Sequence, residues 1–309
     1  MANESWTVTA ETRLAAEVRA RLSLSHRKAQ NLIDRGAVRV AGAVVTDHGA
    51  TLTVGMQIEV RTDAPRRHAP PGSSLAEILF EDRHVIVVAK PAGVLTVPRD
   101  EQISLPPARR DPSLEDWLRD RDIARGARPS VYVVQRLDRG TSGVLVFPRN
   151  RQAYDTLKPA FARHEIERLY RAIVVGAPAK DEGTLRHKLV EKHGKVFRAH
   201  PTEPGGKDAV THYSVIERRN GHALLDLTLE TGRRNQIRVG CALEGYPILG
   251  DIAYGEAAAA IARPALHARA LGFVHPHTEE RLSFTMEEPA DFQRAWERLG
   301  RGGSAEKSD

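Results

Sequence analysis

Apolar and polar positions alternate along the first sixty residues with two different periods. Leu14, Val18 and Leu22 recur at helical spacing, and Ser25 stands where it can cap a second helix whose Ala29, Leu32 and Ile33 share a face. Gly36 ends that helix. Val38 and Val40 then alternate with polar neighbours as a strand does, and Leu52, Val54, Ile58 and Val60 continue the extended pattern around a turn at Gly55. The pattern predicts two helices and a small sheet over residues 12–62. "RTDAPRRHAPPGSS" follows, rich in proline and arginine and without periodicity, and makes residues 63–74 a linker.

A second region, residues 75–299, begins with a buried-strand run, Val85 to Ala89, and a basic turn at Lys90, Pro91 and Gly93. Ser113 with Asp116 three residues on marks a helix start that runs through Trp117. Beyond it, strand-like runs at Val131–Val134, Val144–Phe147, Ala172–Val175 and Leu224–Leu229 alternate irregularly with short helical stretches. There is no regular strand–helix–strand cadence and no internal repeat, so the expected class is α+β, built on a mixed, largely antiparallel sheet. Residues 300–309, "GRGGSAEKSD" with its small and polar side chains, read as a disordered tail.

Composition adds less than pattern. The hydrophobic fraction of 41% over 309 residues allows a sizeable core, and the N-terminus lacks the basic and apolar regions of a secretory signal. No apolar run reaches the roughly 18 residues a membrane span needs, which excludes a membrane partner in this reading. The single cysteine, Cys241, excludes an internal disulfide framework and any multi-cysteine zinc site, and fits a reducing, cytoplasmic setting. Net charge is +6, and its placement matters more than its size. From Arg19 to Arg39 six basic residues (Arg19, Arg21, Arg27, Lys28, Arg35 and Arg39) face one acid, Asp34. Charge alone leaves a solvated helix face and a phosphate-binding surface equally open.

Three positions have the chemistry of a site. Asp138, in "VVQRLDRGTSGVLVF", lies between arginines and before Gly140, Thr141, Ser142 and Gly143, in a polar loop enclosed by apolar runs. Alone, such a residue is an ordinary turn acceptor. Tyr170, in "ERLYRAIVVG", opens a strand and taken alone is a packing residue. Arg233, in "TGRRNQIRVGCALEGYPILGD", sits at a glycine turn before Asn235, which is placed to cap a helix carrying Ile237 and Cys241 on one face.

Together and in order, "EDRHVIVVAKPAGVL", "QRLDRGTSGVLVF", "RLYRAIVVG", "TGRRNQIRVG" with "GYPILGDIAYG", and "LHARALGFVHPHTEERLSF" resemble the pseudouridine synthase family typified by the bacterial enzymes that modify large-subunit ribosomal RNA. "SHRKAQNLIDRGAVRVAG" resembles the small RNA-binding domain named after the fourth ribosomal small-subunit protein. The resemblance implies a pseudouridine synthase domain over residues 75–299. Its catalytic aspartate would be Asp138, its active-site tyrosine Tyr170 and its active-site basic residue Arg233, with Arg238 as second candidate. In the N-terminal module Arg27, Lys28, Arg35 and Arg39 would contact RNA. It implies an isomerase that needs no cofactor or metal and no obligate protein partner, acting on ribosomal RNA, with transfer RNA as the alternative substrate.

The chain departs from the family pattern at Gln135 and Asn235, where common members carry histidine, and at Gly240 and Cys241, where they carry histidine and leucine. These departures leave a second class open, a non-catalytic RNA-binding or ribosome-assembly protein. His267, His275 and His277 come without an accompanying acidic cluster, so a metal is not expected.

Overall fold

The computed structural model describes residues 3–34, 37–45, 48–61, 75–99, 111–192, 194–200 and 202–301. The chain divides into two compact units, residues 1–67 with 249–264, and residues 68–248 with 265–309.

The first unit contains β1 (Asn3–Thr7), β2 (Thr12–Arg13), α1 (Leu14–Arg21), α2 (His26–Asp34), β3 (Val38–Val40), β4 (Ala43–Val44), β5 (Thr51–Leu52) and β6 (Gln57–Arg61). Its four-stranded sheet runs β1-β6-β3-β4, and β2 pairs with β5. The two helices follow the apolar spacing read from the sequence: Leu14, Val18, Ala29, Leu32 and Ile33 are buried in one core with Val38, Val40, Leu52, Ile58 and Val60. Arg19, Arg21 and Lys28 face solvent. Ahead of the region read from residue 12, β1 pairs antiparallel with the whole of β6. Val54 is 67% exposed, since it stands beside Gly55 at φ +94° in the turn before β6. Gly36 and the linker at residues 63–74 lie outside the described residues.

The second unit is built on one ten-stranded sheet. Its strands are β7 (Glu77–Glu81), β8 (Val85–Lys90), β9 (Ser142–Pro148), β10 (Glu167–Val175), β11 (Glu182–Lys192), β12 (Lys195–Arg198), β13 (Lys207–Arg219), β14 (His222–Leu229), β15 (Leu266–Val274) and β16 (Arg281–Thr285). The order is β12-β11-β13-β14-β10-β15-β9-β8-β7, with β16 on the second half of β15. All pairings are antiparallel except β9 with β15, so the sheet is mixed and largely antiparallel. Helices α3 (Leu114–Ala124), α4 (Arg151–Ala162), α5 (Gln236–Leu243) and α6 (Ala290–Arg301) complete the unit. Every residue of β8 and β9 is buried, and this is why they read as unbroken apolar runs and not as alternation. α4 packs Leu157 and Phe161 onto Val85, Val87, Val144 and Val146.

The helix start at Ser113 is as the sequence indicates: its side chain accepts from the Asp116 amide at 3.1 Å. The run Val131–Val134 forms no strand. Its Tyr132 amide donates to the Pro148 carbonyl at the end of β9, at 2.9 Å. Gly300 and Arg301, read as part of a tail, close α6, and residues 302–309 lie outside the described residues.

Candidate active site

Asp138 lies on the loop that enters β9, and several distant groups fix that loop. Lys90, at the end of β8, is 1% exposed, and its Nζ donates to the carbonyls of Thr141 at 2.6 Å, Pro91 at 3.1 Å and Arg139 at 3.3 Å. Thr96 Oγ1 donates to the Leu137 carbonyl at 2.8 Å and accepts from the Leu137 amide at 3.0 Å. Gly93 and Arg139 exchange bonds, amide to carbonyl at 2.7 Å and Nε to carbonyl at 3.0 Å. The loop then turns on itself through the Thr141 amide, which donates to the Asp138 carbonyl at 3.0 Å. It ends where β9 meets β15 in the parallel pairing, Ser142 opposite His267 and Gly143 opposite Ala268. Ser142 Oγ and His267 Nδ1 are hydrogen-bonded at 2.9 Å. Gly143 has φ +128°, and a Cβ there would fall 2.2 Å from the Ala268 carbonyl oxygen, so the motif needs glycine for both backbone angle and space.

The second half of the site comes from the turn between β14 and α5. Gln236 is buried and organises it. Its Oε1 accepts from Thr231 Oγ1 at 2.7 Å and from the Arg233 amide at 2.9 Å, and its Nε2 donates to the Val210 carbonyl and Thr211 Oγ1, both at 3.0 Å. Asn235 takes the left-handed conformation, φ +52° and ψ +20°, and does not cap α5 with its side chain. Its Oδ1 instead accepts from Arg238 Nη1 at 3.3 Å.

That same Arg238 nitrogen donates to Asp138 Oδ2 at 3.1 Å, across a hundred residues of chain. The Arg238 side chain is 12% exposed and that of Asp138 30%, so the pair is partly withdrawn from water. Arg233, the arginine expected to pair with Asp138, does not do so. It is exposed, and its Nε donates to the Asp208 carbonyl at 3.0 Å. The left-handed step at Asn235 separates the two arginines: Arg233 lies before it in the turn, whereas Arg238 lies one helical step inside α5. The sequence alone does not reveal the turn's hand.

Tyr170 is buried on β10, next to a register shift between Leu169 and Tyr170 opposite β15. Such a bulge re-aims the side chain that follows it. Burial pushes the phenol up to about 12; the Arg168 cation acts against that shift and the charge of Asp138 adds to it. The ring is therefore a neutral aromatic at physiological pH, near enough to Asp138 to feel its charge. Burial also lowers the pKa of Arg168 from the usual arginine range.

Among the departures from the family pattern, Asn235 touches the arginine of the ion pair. Gly240 and Cys241 belong to packing: a Cβ at Gly240 would meet Leu185 of β11 at 3.5 Å, and Cys241 is fully buried. Gln135 carries a buried Nε2 with no hydrogen-bond partner. In the N-terminal unit, Lys28 is exposed and Arg39 Nη1 donates to the Gly42 carbonyl at 2.9 Å. Arg27 belongs to α2, and Arg35 lies outside the described residues. No group of three or more histidine, cysteine, aspartate or glutamate side chains among the described residues could hold a metal ion. Nor is any described helix long and apolar enough to cross a membrane.

Comparison with known proteins places the chain in a family. Residues 84–243 match the family model of RNA pseudouridylate synthase, and residues 12–58 match the S4 domain. The chain is 35% identical over 260 residues to a protein named ribosomal large subunit pseudouridine synthase D from Xanthomonas campestris pv. campestris, covering 80% of this chain and 74% of that one. It is 34% identical to a protein of the same name from Zymomonas mobilis, covering 89% of this chain and 90% of the relative. Among solved structures, human RNA pseudouridylate synthase domain containing 4 superposes with a TM-score of 0.58 at 24% identity, over 72% of this chain and 92% of that one, and shares the fold.

Proposed function

The chain belongs to the RNA pseudouridylate synthase family, and from that premise we propose that it converts specific uridines of large-subunit ribosomal RNA to pseudouridine, with Asp138 as the reacting carboxylate. The observation that carries this reading is the ion pair of Asp138 with Arg238 beside the buried ring of Tyr170. The ribosomal substrate is supported by the names of the two bacterial relatives and by the S4 domain at the N-terminus.

The reaction moves no electrons between molecules. The bond from uracil N1 to ribose C1′ breaks, the base turns, C5 bonds to C1′, the proton on C5 leaves, and one proton ends on N1. A positioned carboxylate can attack as nucleophile or stabilise charge and move the proton. In this site Arg238 fixes one oxygen of Asp138 and leaves the partly exposed carboxylate open toward solvent. Arg238 thus takes the part expected of Arg233. A uridine inside a helix cannot reach Asp138, so it must be flipped or already unpaired, at a cost of a few kcal/mol that stacking on an aromatic helps offset. Tyr170 supplies that ring. The basic side chains of the N-terminal unit, Lys28 and Arg39 with Arg27 and Arg35, add phosphate contacts that raise affinity without reading sequence.

Asp138→Asn keeps size and loses the carboxylate. Pseudouridine formation on a large-subunit ribosomal RNA transcript should fall by at least about 10³-fold while RNA binding stays within a few-fold. Full activity in this variant would leave an RNA-binding role without chemistry. Activity confined to transfer RNA offered in parallel would move the substrate and keep the reaction.

A further inference from the structure

β10 carries a second withdrawn polar side chain, two residues before Tyr170. Arg168 is 8% exposed. It reaches from β10 to the end of β14, where Nη2 donates to the Leu229 carbonyl at 3.3 Å. Its Nη1 lies 3.0 Å from the point that a side chain at Gly232 would occupy, so the glycine of "TGRR" makes room for this guanidinium. On another side the guanidinium carbon stands 5.8 Å from the centre of the Phe161 ring. Its Nε is buried without a hydrogen-bond partner, and among the described residues Arg168 forms no ion pair.

A guanidinium taken out of water without an acid is not retained for stability, because an apolar side chain of similar length fills the same space at no desolvation cost. What this arginine has that methionine lacks is a fixed charge and a reach to the turn that leads into α5. We propose that Arg168 is a positioning residue of the reaction. It joins the strand of Tyr170 to the last residue of β14 and packs against Gly232 of the turn that precedes Arg238, and it keeps a positive charge near the phenol that offsets Asp138 and the negative charge gathering on uracil as its bond to ribose breaks. The inference rests on the reading of Asp138 given above.

Arg168→Met, Arg168→Lys and Asp138→Asn, made in the full chain and compared on the same ribosomal RNA transcript, test it. Arg168→Met should keep or raise Tm while kcat falls about tenfold or more and KM for RNA stays within about threefold. Arg168→Lys, which keeps the charge, should retain more of kcat than Arg168→Met. The inference is overturned if Arg168→Met is as active as Arg168→Lys or the wild type, since packing alone would then account for the residue. Should Arg168→Met fail to fold, Arg168→Gln against Arg168→Lys gives the same contrast of neutral and charged side chains. An active Asp138→Asn removes the reading of the site itself, whereas an inactive Asp138→Asn beside a fully active Arg168→Met removes only the role of Arg168.

Discussion

The two loops that meet in the Asp138–Arg238 pair are held in different ways. The aspartate's loop is supported from outside, by Lys90, Gly93 and Thr96, which lie some forty to fifty residues earlier in the chain. The arginine's turn is pinned by one of its own members, Gln236, whose amide joins Thr231 and the Arg233 amide to the neighbouring strand β13. The acid proposed to react sits on a loop whose backbone carbonyls are tied down by a buried ammonium. Its partner rides on a helix whose start is set locally. Rigidity thus comes from the sheet on one side and from a turn on the other.

Substitutions that remove one arm at a time sharpen this contrast. Arg238→Met takes away the partner of Asp138 and should lower kcat by about 10²–10³-fold, the scale of removing one preorganised donor; a loss under about threefold in single-turnover pseudouridine formation would show that Asp138 is held by something else. Lys90→Met removes the ammonium that bonds two carbonyls of the aspartate's loop, Arg139 and Thr141, and that of Pro91, and should cost about 2–4 kcal/mol, read as a fall in denaturant midpoint together with lost activity. An unchanged midpoint would mean that Thr96 and Gly93 hold the loop without it. Arg233→Ala should have the smallest effect, with kcat within about twofold of wild type, because its exposed side chain hydrogen-bonds only a backbone carbonyl among the described residues. A deep loss of kcat there would return Arg233 to the part given above to Arg238.

The sequence carried the fold further than it carried the site. Helix periodicity in α1 and α2, the capping pair Ser113 and Asp116, and the apolar runs of β8 and β9 are local signals and all appear in the structure. Val131–Val134 had the same signal and formed no strand, because pairing depends on what distant segments present and not on the run alone. Asp138 and Tyr170 stand out in their motifs as candidates, and in the structure the charge of Asp138 reaches the Tyr170 phenol. The choice between Arg233 and Arg238 was not legible, since it depends on one left-handed residue, Asn235, that is not glycine. Arg168 went unnoticed for a related reason: burial without an acid is a property of the assembled sheet, and in "ERLYRA" it looks like any charged strand residue.

Gly143 carries one more consequence. Its backbone touches Ala268 where the two strands run parallel, and Ser142 beside it is turned to His267. A slip of β9 by one residue against its neighbours would exchange the faces of these two positions and drive the serine side chain into the Ala268 backbone. The register of this strand is therefore fixed as strictly as its composition.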